Sequence, residues 1–226
     1  MTADEVKRRL RDLDAQLVDT LQRHEVDAVI DVGANRGQYA SRLRAAGWTG
    51  QILSIEPLPE LQAELQSRAA ADPDWEIALP VAAGAVAGDT VLDVSAESDM
   101  SSTLAQSDLL RAISPSSAVS RRISVPQHRL DGPELLGARA WERMFVKIDV
   151  QGAEPAVLAG LDGAWNRVRG LQLELALLPL YDGERPWREA VDLMAARGLS
   201  PHLVFPGYYA RALGRQVQVD MVFYRD

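Results

Sequence analysis

The sequence predicts a doubly wound α/β fold with an antiparallel edge, and three observations carry that prediction. Short apolar runs ending in an acid alternate with helix-like stretches. The first such run, Ala28-Val29-Ile30-Asp31, passes straight into a glycine turn, Gly33-Ala34-Asn35-Arg36-Gly37. The helical pattern of Tyr39, Leu43 and Trp48 follows it. The chain closes on two successive strand-like runs, 203–205 and 217–224, with no helix between them, which marks an antiparallel pair. No repeat, linker or low-complexity tract interrupts the 226 residues, so one domain spanning 1–226 is expected.

The elements follow in order. Residues 3–24 carry Val6, Leu10, Leu13, Leu17 and Leu21 at spacings of three and four, one apolar stripe of a helix. Thr2 and Glu5 have the spacing of a capping box. This N-terminal helix (1–25) covers either the sheet or a partner subunit. Strand one ends at Asp31, and its helix is stopped by Gly47. Strand two is Gln51 to Ile55, and Pro57 and Pro59 open a helix over 60–71, since the first helical N–H groups lack intrahelical partners. A third strand is expected over 76–81, with Pro80 placing it at an edge or lying at its end. Thr90 to Val94 alternates as a half-exposed strand. Residues 95–120 read as a long serine-rich loop with a helical turn around 104–113, either covering a ligand or solvated. A short strand is expected at 122–125 and a helical turn at 130–136. Met144 to Ile148 is an apolar strand ending at Asp149, and a helix over 154–161 stops at Gly163. Leu171 to Leu177 is a central strand carrying Glu174, and a helix over 187–197 stops at Gly198.

Composition removes several classes of function. The net charge of −8 leaves no basic excess for phosphate neutralisation, so nucleic acid is not an expected partner. With no cysteine there is no disulfide, zinc–thiolate site or thiol nucleophile. Residues 1–25 are charged and lack the apolar core of a signal peptide, and no apolar run approaches the ~18 residues of a membrane span. The expectation is a soluble cytoplasmic protein without a membrane partner.

The glycine turn carries the chemistry. It lets the backbone approach a ligand, and the helix start behind it offers free N–H groups. Glu56 ends the second strand 25 residues after Asp31 (56 − 31), where an acid can hold a ribose diol. A dinucleotide fingerprint is not met, because its three glycine slots hold Gly33, Asn35 and Gln38, and no phosphate-loop motif occurs. An acid before a glycine turn without a phosphate cradle suits S-adenosylmethionine, a zwitterionic nucleoside.

Six strings reinforce this reading: VIDVGANRGQYA, SIEPLPE, VAAGAVAGDTVLDVS, SSTL, VKIDVQGAEPAVLAG and QVDMVFYR. Taken in order across about residues 27–225, they resemble the FkbM family of S-adenosylmethionine-dependent O-methyltransferases. The resemblance implies a class I methyltransferase (Rossmann-like) fold with seven strands, the last antiparallel. It also implies methyl transfer to a hydroxyl of a sugar, an oligosaccharide, or a glycosylated or macrolide-type metabolite. It puts Asp31, Gly33, Asn35 and Gln38 in the cofactor turn, Glu56 on the ribose, and Ala82 and Ala83 along the adenine. Family members often carry Glu where this chain has Gln151, so Gln151 is given no catalytic role.

A hydroxyl is too weakly acidic to ionise unaided near neutral pH, so a base or a metal must assist. Asp149 and Glu174 end neighbouring strands over one crevice, and hard oxygen ligands of this kind suit Mg²⁺, with Asp220 a third ligand or a base. The competing readings are an arginine-paired strand acid for Glu174 and a helix N-cap for Asp149. Asp149, His128 and His202 are the catalytic candidates, and His24 reads as surface. Lys147 shares a pleat side with Asp149 and either pairs with it or binds substrate. Tyr208, Tyr209 and Trp187 stack on a sugar face or pack in the core. The alternatives are a metal-independent enzyme acting on a polyketide-type hydroxyl and a non-catalytic nucleoside-binding module. A homodimer through the N-terminal helix or the last strands is open.

Overall fold

The computed structural model describes the backbone of residues 3–137 and 139–225, and the side chains among them from residue 12 onward. The Thr2–Glu5 capping box and the side chains of Val6 and Leu10 lie outside the described residues.

In chain order the elements are α1 (Ala3–Arg23), β1 (Ala28–Val32), α2 (Gln38–Ala45), β2 (Gln51–Ile55), α3 (Pro59–Ala69), β3 (Trp75–Ile77), β4 (Ala82–Ala83), β5 (Gly88–Ser95), α4 (Asp108–Ile113) and β6 (Val119–His128). They continue with β7 (Met144–Ile148), α5 (Glu154–Ala159), β8 (Val168–Ala176), α6 (Trp187–Ala196), β9 (Leu199–Pro206), β10 (Tyr209–Ala210), β11 (Arg215–Gln216) and β12 (Gln218–Arg225). The main sheet has seven strands in the order β3-β2-β1-β7-β8-β12-β9. Its first five are parallel, and β12 runs antiparallel to both β8 and β9. The strand order reverses direction between β1 and β7, and the crevice beyond the carboxyl ends at such a point is the natural ligand site.

Both central strands are buried at every position, as parallel strands covered on two faces must be. Two of those positions are charged. Asp31 and Lys147 are direct cross-strand partners, so each supplies the counter-charge the other needs in the interior. On one face α1 and α2 pack Leu17, Leu21, Tyr39 and Leu43 against Val29, Phe145 and Tyr224. The described part of the α1 stripe is therefore spent on its own sheet. His24, expected at the surface, is half-buried and stacks on Tyr224 with ring centroids 3.9 Å apart. On the other face Val157, Leu158, Leu161 and Met194 pack on Ile30, Val146 and Leu171.

The boundaries that moved did so for local reasons. The strand expected over 76–81 divides in two, because Pro80 has no N–H for a ladder: β3 stays on the main sheet and β4 joins β6. The strand expected at 122–125 is ten residues long and pairs with β5 in a separate three-stranded sheet, β4-β6-β5. The segment after β5 is ordered by short 3₁₀ turns at Ser98–Met100 and Pro115–Ser117 around α4. Helix α5 ends at Ala159, earlier than the stop expected at Gly163. A Cβ at Gly160 would strike the Gly84 carbonyl, so the helix closes there against β4's exit.

Candidate active site

A cavity of about 450 Å³ opens at the carboxyl edge of β1, β2, β7 and β8. That volume is in the usual range for a small-molecule site. Its floor is the turn between β1 and α2, where Gly33 (φ 79°), Asn35 (φ 48°) and Gly37 (φ 79°) all adopt left-handed backbone. Glycine takes this conformation without strain, and asparagine is one of the few other residues that tolerates it. A Cβ on Gly33 would run into the Asp149 carbonyl oxygen, so only glycine lets the turn pass β7's exit.

Glu56 faces this turn. Its Oε2 accepts the Asn35 N–H at 2.8 Å and its Oε1 accepts the Leu58 N–H at 2.9 Å. Burial outweighs those bonds and pushes the carboxyl up to about 7. Ala82 and Ala83, with Ile55 and Leu92, line the apolar side. Gln38 is on the wall, its Oε1 accepting the Arg36 N–H. The segment 97–103 closes the cavity from above, and Asn35 Nδ2 donates to Ser98 Oγ at 3.1 Å.

The opposite half is acidic. Lys147 Nζ lies 3.3 Å from both Asp31 and Asp149 and donates to the Gly33 carbonyl at 3.2 Å. Burial opposes its charge, but Asp149 and Asp31 raise it above an ordinary lysine. Asp31, expected as a cofactor ligand, is not on the wall: it is fully buried inside β1, with its pKa raised by burial. Lys147, its register partner on the same face, lies between it and the cavity. Asp149 is about a third exposed on the wall. It is not a helix cap, since the residue before α5 is Ala153 and Glu154 takes the Val150 and Gly152 N–H groups. Glu174 Oε2 accepts Gln151 Nε2 at 2.7 Å and Gln218 Nε2 at 2.9 Å. Burial and then Asp149 hold its pKa well above the carboxylate range. Asp220 is opposite Glu174 in the β8–β12 register, accepts Gln172 Nε2 at 3.1 Å, and is pushed up to about 6, chiefly by burial.

Neither candidate histidine reaches this place. His128 sits on β6, half-buried, with Glu134 3.8 Å away. His202 is exposed on β9, at the sheet's far edge, with its Nδ1 on the Ser200 carbonyl. Neither lines the cavity, although His128 is the register partner of Ala83, which does, so no base is assigned to a histidine. Tyr208 lines the cavity, Tyr209 is exposed on the β10–β11 hairpin, and Trp187 packs against the core.

The cavity suits S-adenosylmethionine: a glycine floor, a carboxylate for a diol, apolar walls for a base, and an acidic half for its cationic end. The expected Mg²⁺ ligands do not suit a metal. Among the described residues no three acids or histidines are grouped to hold one. Gln151 Nε2 stands between Asp149 and Glu174, bonded to both, and Asp220 is held by Gln172. An N–H donor thus occupies one oxygen of each of the three carboxylates, and Lys147 pairs with the other oxygen of Asp149.

Sequence reasoning gave no site role to Gln151, Gln172, Gln218, Tyr39 or Tyr181. Tyr39 OH donates to Gln172 Oε1 at 3.0 Å, which turns that amide towards Asp220. A signal was present. Gln172 and Glu174, and Gln218 and Asp220, are polar pairs two apart in otherwise apolar strands, so each pair marks one polar side of a buried pleat.

A glycine turn at the switch point, an acid closing the second strand and an antiparallel seventh strand together define the class I methyltransferase fold. The chain belongs to the FkbM methyltransferase family: the model of the methyltransferase FkbM domain matches residues 31–200. Membership in that family makes it a methyltransferase. Among solved structures it is similar to the methyltransferase domain of bacterial CtHen1-C, with 11% identity, TM-score 0.50, and coverage of 95% of this chain and 97% of that one. It is also similar to magnesium protoporphyrin IX methyltransferase from Synechocystis PCC 6803 with bound SAM (12% identity, TM-score 0.49, coverage 96% and 79%). A third is an rRNA methylase from Streptococcus thermophilus (9% identity, TM-score 0.46, coverage 95% and 93%). No curated protein matches the sequence. No helix among the described residues is long and apolar enough to cross a membrane.

Proposed function

We propose that the protein transfers a methyl group to a hydroxyl of a sugar, an oligosaccharide or a glycosylated metabolite. The supporting observation is the pair of carboxylates, Asp149 and Asp220, on the wall of a cavity whose other half suits the methyl donor. When bound, S-adenosylmethionine supplies a methyl group on a sulfonium. Glu56 holds the ribose hydroxyls, Ala82 and Ala83 flank the base, and Gly33 and Asn35 bring the turn's backbone close. The remaining task is to remove a proton from a neutral hydroxyl. Asp220 is suited to it: burial makes its carboxylate more basic than an ordinary aspartate while leaving it ionised near neutral pH. Asp149, steadied by Lys147, orients the hydroxyl from the other side. Gln172, Gln218 and Tyr208 offer amides and an aromatic ring to a polyhydroxy acceptor.

The experiment is calorimetry with S-adenosylhomocysteine, then methyl transfer to a panel of sugar and glycan acceptors. Binding of S-adenosylhomocysteine with methylation of a hydroxyl supports the reading. Asp220→Asn should lower kcat by at least about 100-fold with cofactor affinity retained, the scale of a lost general base. Product carrying the methyl on nitrogen or carbon would overturn the hydroxyl assignment.

A further inference from the structure

Gln151 is buried, adopts left-handed backbone at φ 57°, and has both side-chain polar atoms engaged. Nε2 donates to Asp149 Oδ1 at 2.9 Å and to Glu174 Oε2 at 2.7 Å. Oε1 accepts from the Tyr181 hydroxyl at 2.9 Å. The backbone carbonyl accepts from Ser102 Oγ at 2.7 Å, and that same hydroxyl accepts the Leu104 N–H at 2.9 Å. The Tyr181 hydroxyl also lies 3.0 Å from the Met100 carbonyl. Met100 and Ser102 belong to the segment that covers the cavity. One residue therefore joins two acids of the cavity to its cover at two points.

We infer that the Gln151 carboxamide is a positioning residue that takes the place of a divalent cation between Asp149 and Glu174, and couples that acid pair to the covering segment 98–103. A β-strand edge carrying two nearby carboxylates needs something between them to offset their repulsion. A primary amide does this with two N–H groups and no net charge. A left-handed backbone at a non-glycine residue costs about 1 kcal/mol or more, and is kept where the surroundings over-determine it. Here the four partners of Gln151 do so.

The opposite orientation of the amide has a distinct consequence. Oε1 would then face Asp149 and Glu174, and three oxygens so placed need a proton on Glu174 or a cation among them. The Tyr181 hydroxyl, with its single proton, would donate to Met100 and accept from Nε2. The two orientations therefore differ in affinity for a divalent ion. The role in chemistry presupposes the hydroxyl-methylating reading, whereas the preference for or against a divalent ion does not.

The test titrates Mn²⁺ into the full chain and follows the free-ion electron paramagnetic resonance signal, for wild type, Gln151→Glu and Gln151→Met. Thermal melting and S-adenosylhomocysteine calorimetry run alongside. Wild type and Gln151→Met should leave the signal as in buffer, while Gln151→Glu, with three carboxylates in one place, should take up one Mn²⁺ per chain. Gln151→Met keeps the side-chain length without N–H or C=O, so amide hydrogen exchange over 98–103 should quicken at least about tenfold. Mn²⁺ uptake by wild type that disappears in Asp149→Asn would overturn the assignment, as would a folded Gln151→Glu that takes up none. Unchanged exchange over 98–103 in Gln151→Met would remove the coupling to the cover, and this arm holds even if Gln151→Glu does not fold. Failure of wild type to bind S-adenosylhomocysteine would instead count against the proposed function, and would leave the ion comparison standing.

Discussion

Glu56 is the residue at which local environment and ligand chemistry meet most directly. Its carboxyl is buried and lifted to about 7, yet a ribose diol donates best to an ionised carboxylate. Raising the pH ionises it, so S-adenosylhomocysteine affinity should rise about tenfold between pH 6 and 8, the change in ionised fraction for a group titrating midway. Glu56→Gln should weaken binding and flatten that dependence, and calorimetry at several pH values checks both. A pH-independent wild-type affinity would separate Glu56 from the cofactor. Lys147 makes a different kind of prediction. It is the counter-charge for a fully buried Asp31 and for Asp149. Lys147→Met would leave a charge in the interior without its partner, a loss of about 3–5 kcal/mol in chemical denaturation. A loss under about 1 kcal/mol would mean that Asp31 is neutral in the native protein.

At the scale of elements, the turn between β1 and α2 has no slack. Gly33→Ala needs left-handed backbone from a residue with a Cβ, and that Cβ meets the Asp149 carbonyl. The turn must move away from β7, so cofactor affinity should fall at least about tenfold, while Asn35→Gly, which suits the left-handed backbone at φ 48° and keeps the N–H that Glu56 accepts, retains most of it. Isothermal calorimetry on both variants distinguishes the two, and equal affinity in wild type and Gly33→Ala would show that the turn does not contact the ligand. The cover is a second such element. Its serines were visible in the sequence, but their use was not: Ser95 Oγ donates to the Ser117 carbonyl at 2.7 Å, and Ser117 is buried. A run of serines reads as solvated loop until the fold returns it against its own start.

For the whole molecule, burying several acids in and around the cavity ties stability to pH. Glu56, Asp220 and Glu154 are lifted to about 7, 6 and 8, with burial the largest cause in each. The native state therefore binds more protons than the unfolded chain between the ordinary carboxylate values and about 8. Stability must then fall as pH rises through that window. The ligand-free protein should melt at a higher temperature near pH 5.5 than near pH 8. Added S-adenosylhomocysteine should narrow the gap, because a ligand that binds the native state stabilises it. Scanning calorimetry reads both, and a higher melting temperature at pH 8 would show that these acids are not buried in solution.

Local chemistry by itself determined much of this protein. Strand tips in β1, β2 and β7, the left-handed turn at Gly33, the acid at Glu56 and the terminal antiparallel pair are all properties of neighbours along the chain. Apolar alternation, glycine freedom and proline's missing N–H therefore made them legible. The acid set was legible as a set: Asp149, Glu174 and Asp220 do line one cavity. Tertiary structure decided what each of them touches. It put Asp31 behind Lys147 and off the cavity wall, left His128 and His202 off that wall as well, and laid Gln151, Gln172 and Gln218 against the carboxylates. The pairings of Gln172 with Asp220 and of Gln218 with Glu174 join residues more than forty positions apart through sheet register, a one-residue slip of which would turn those side chains to the other face.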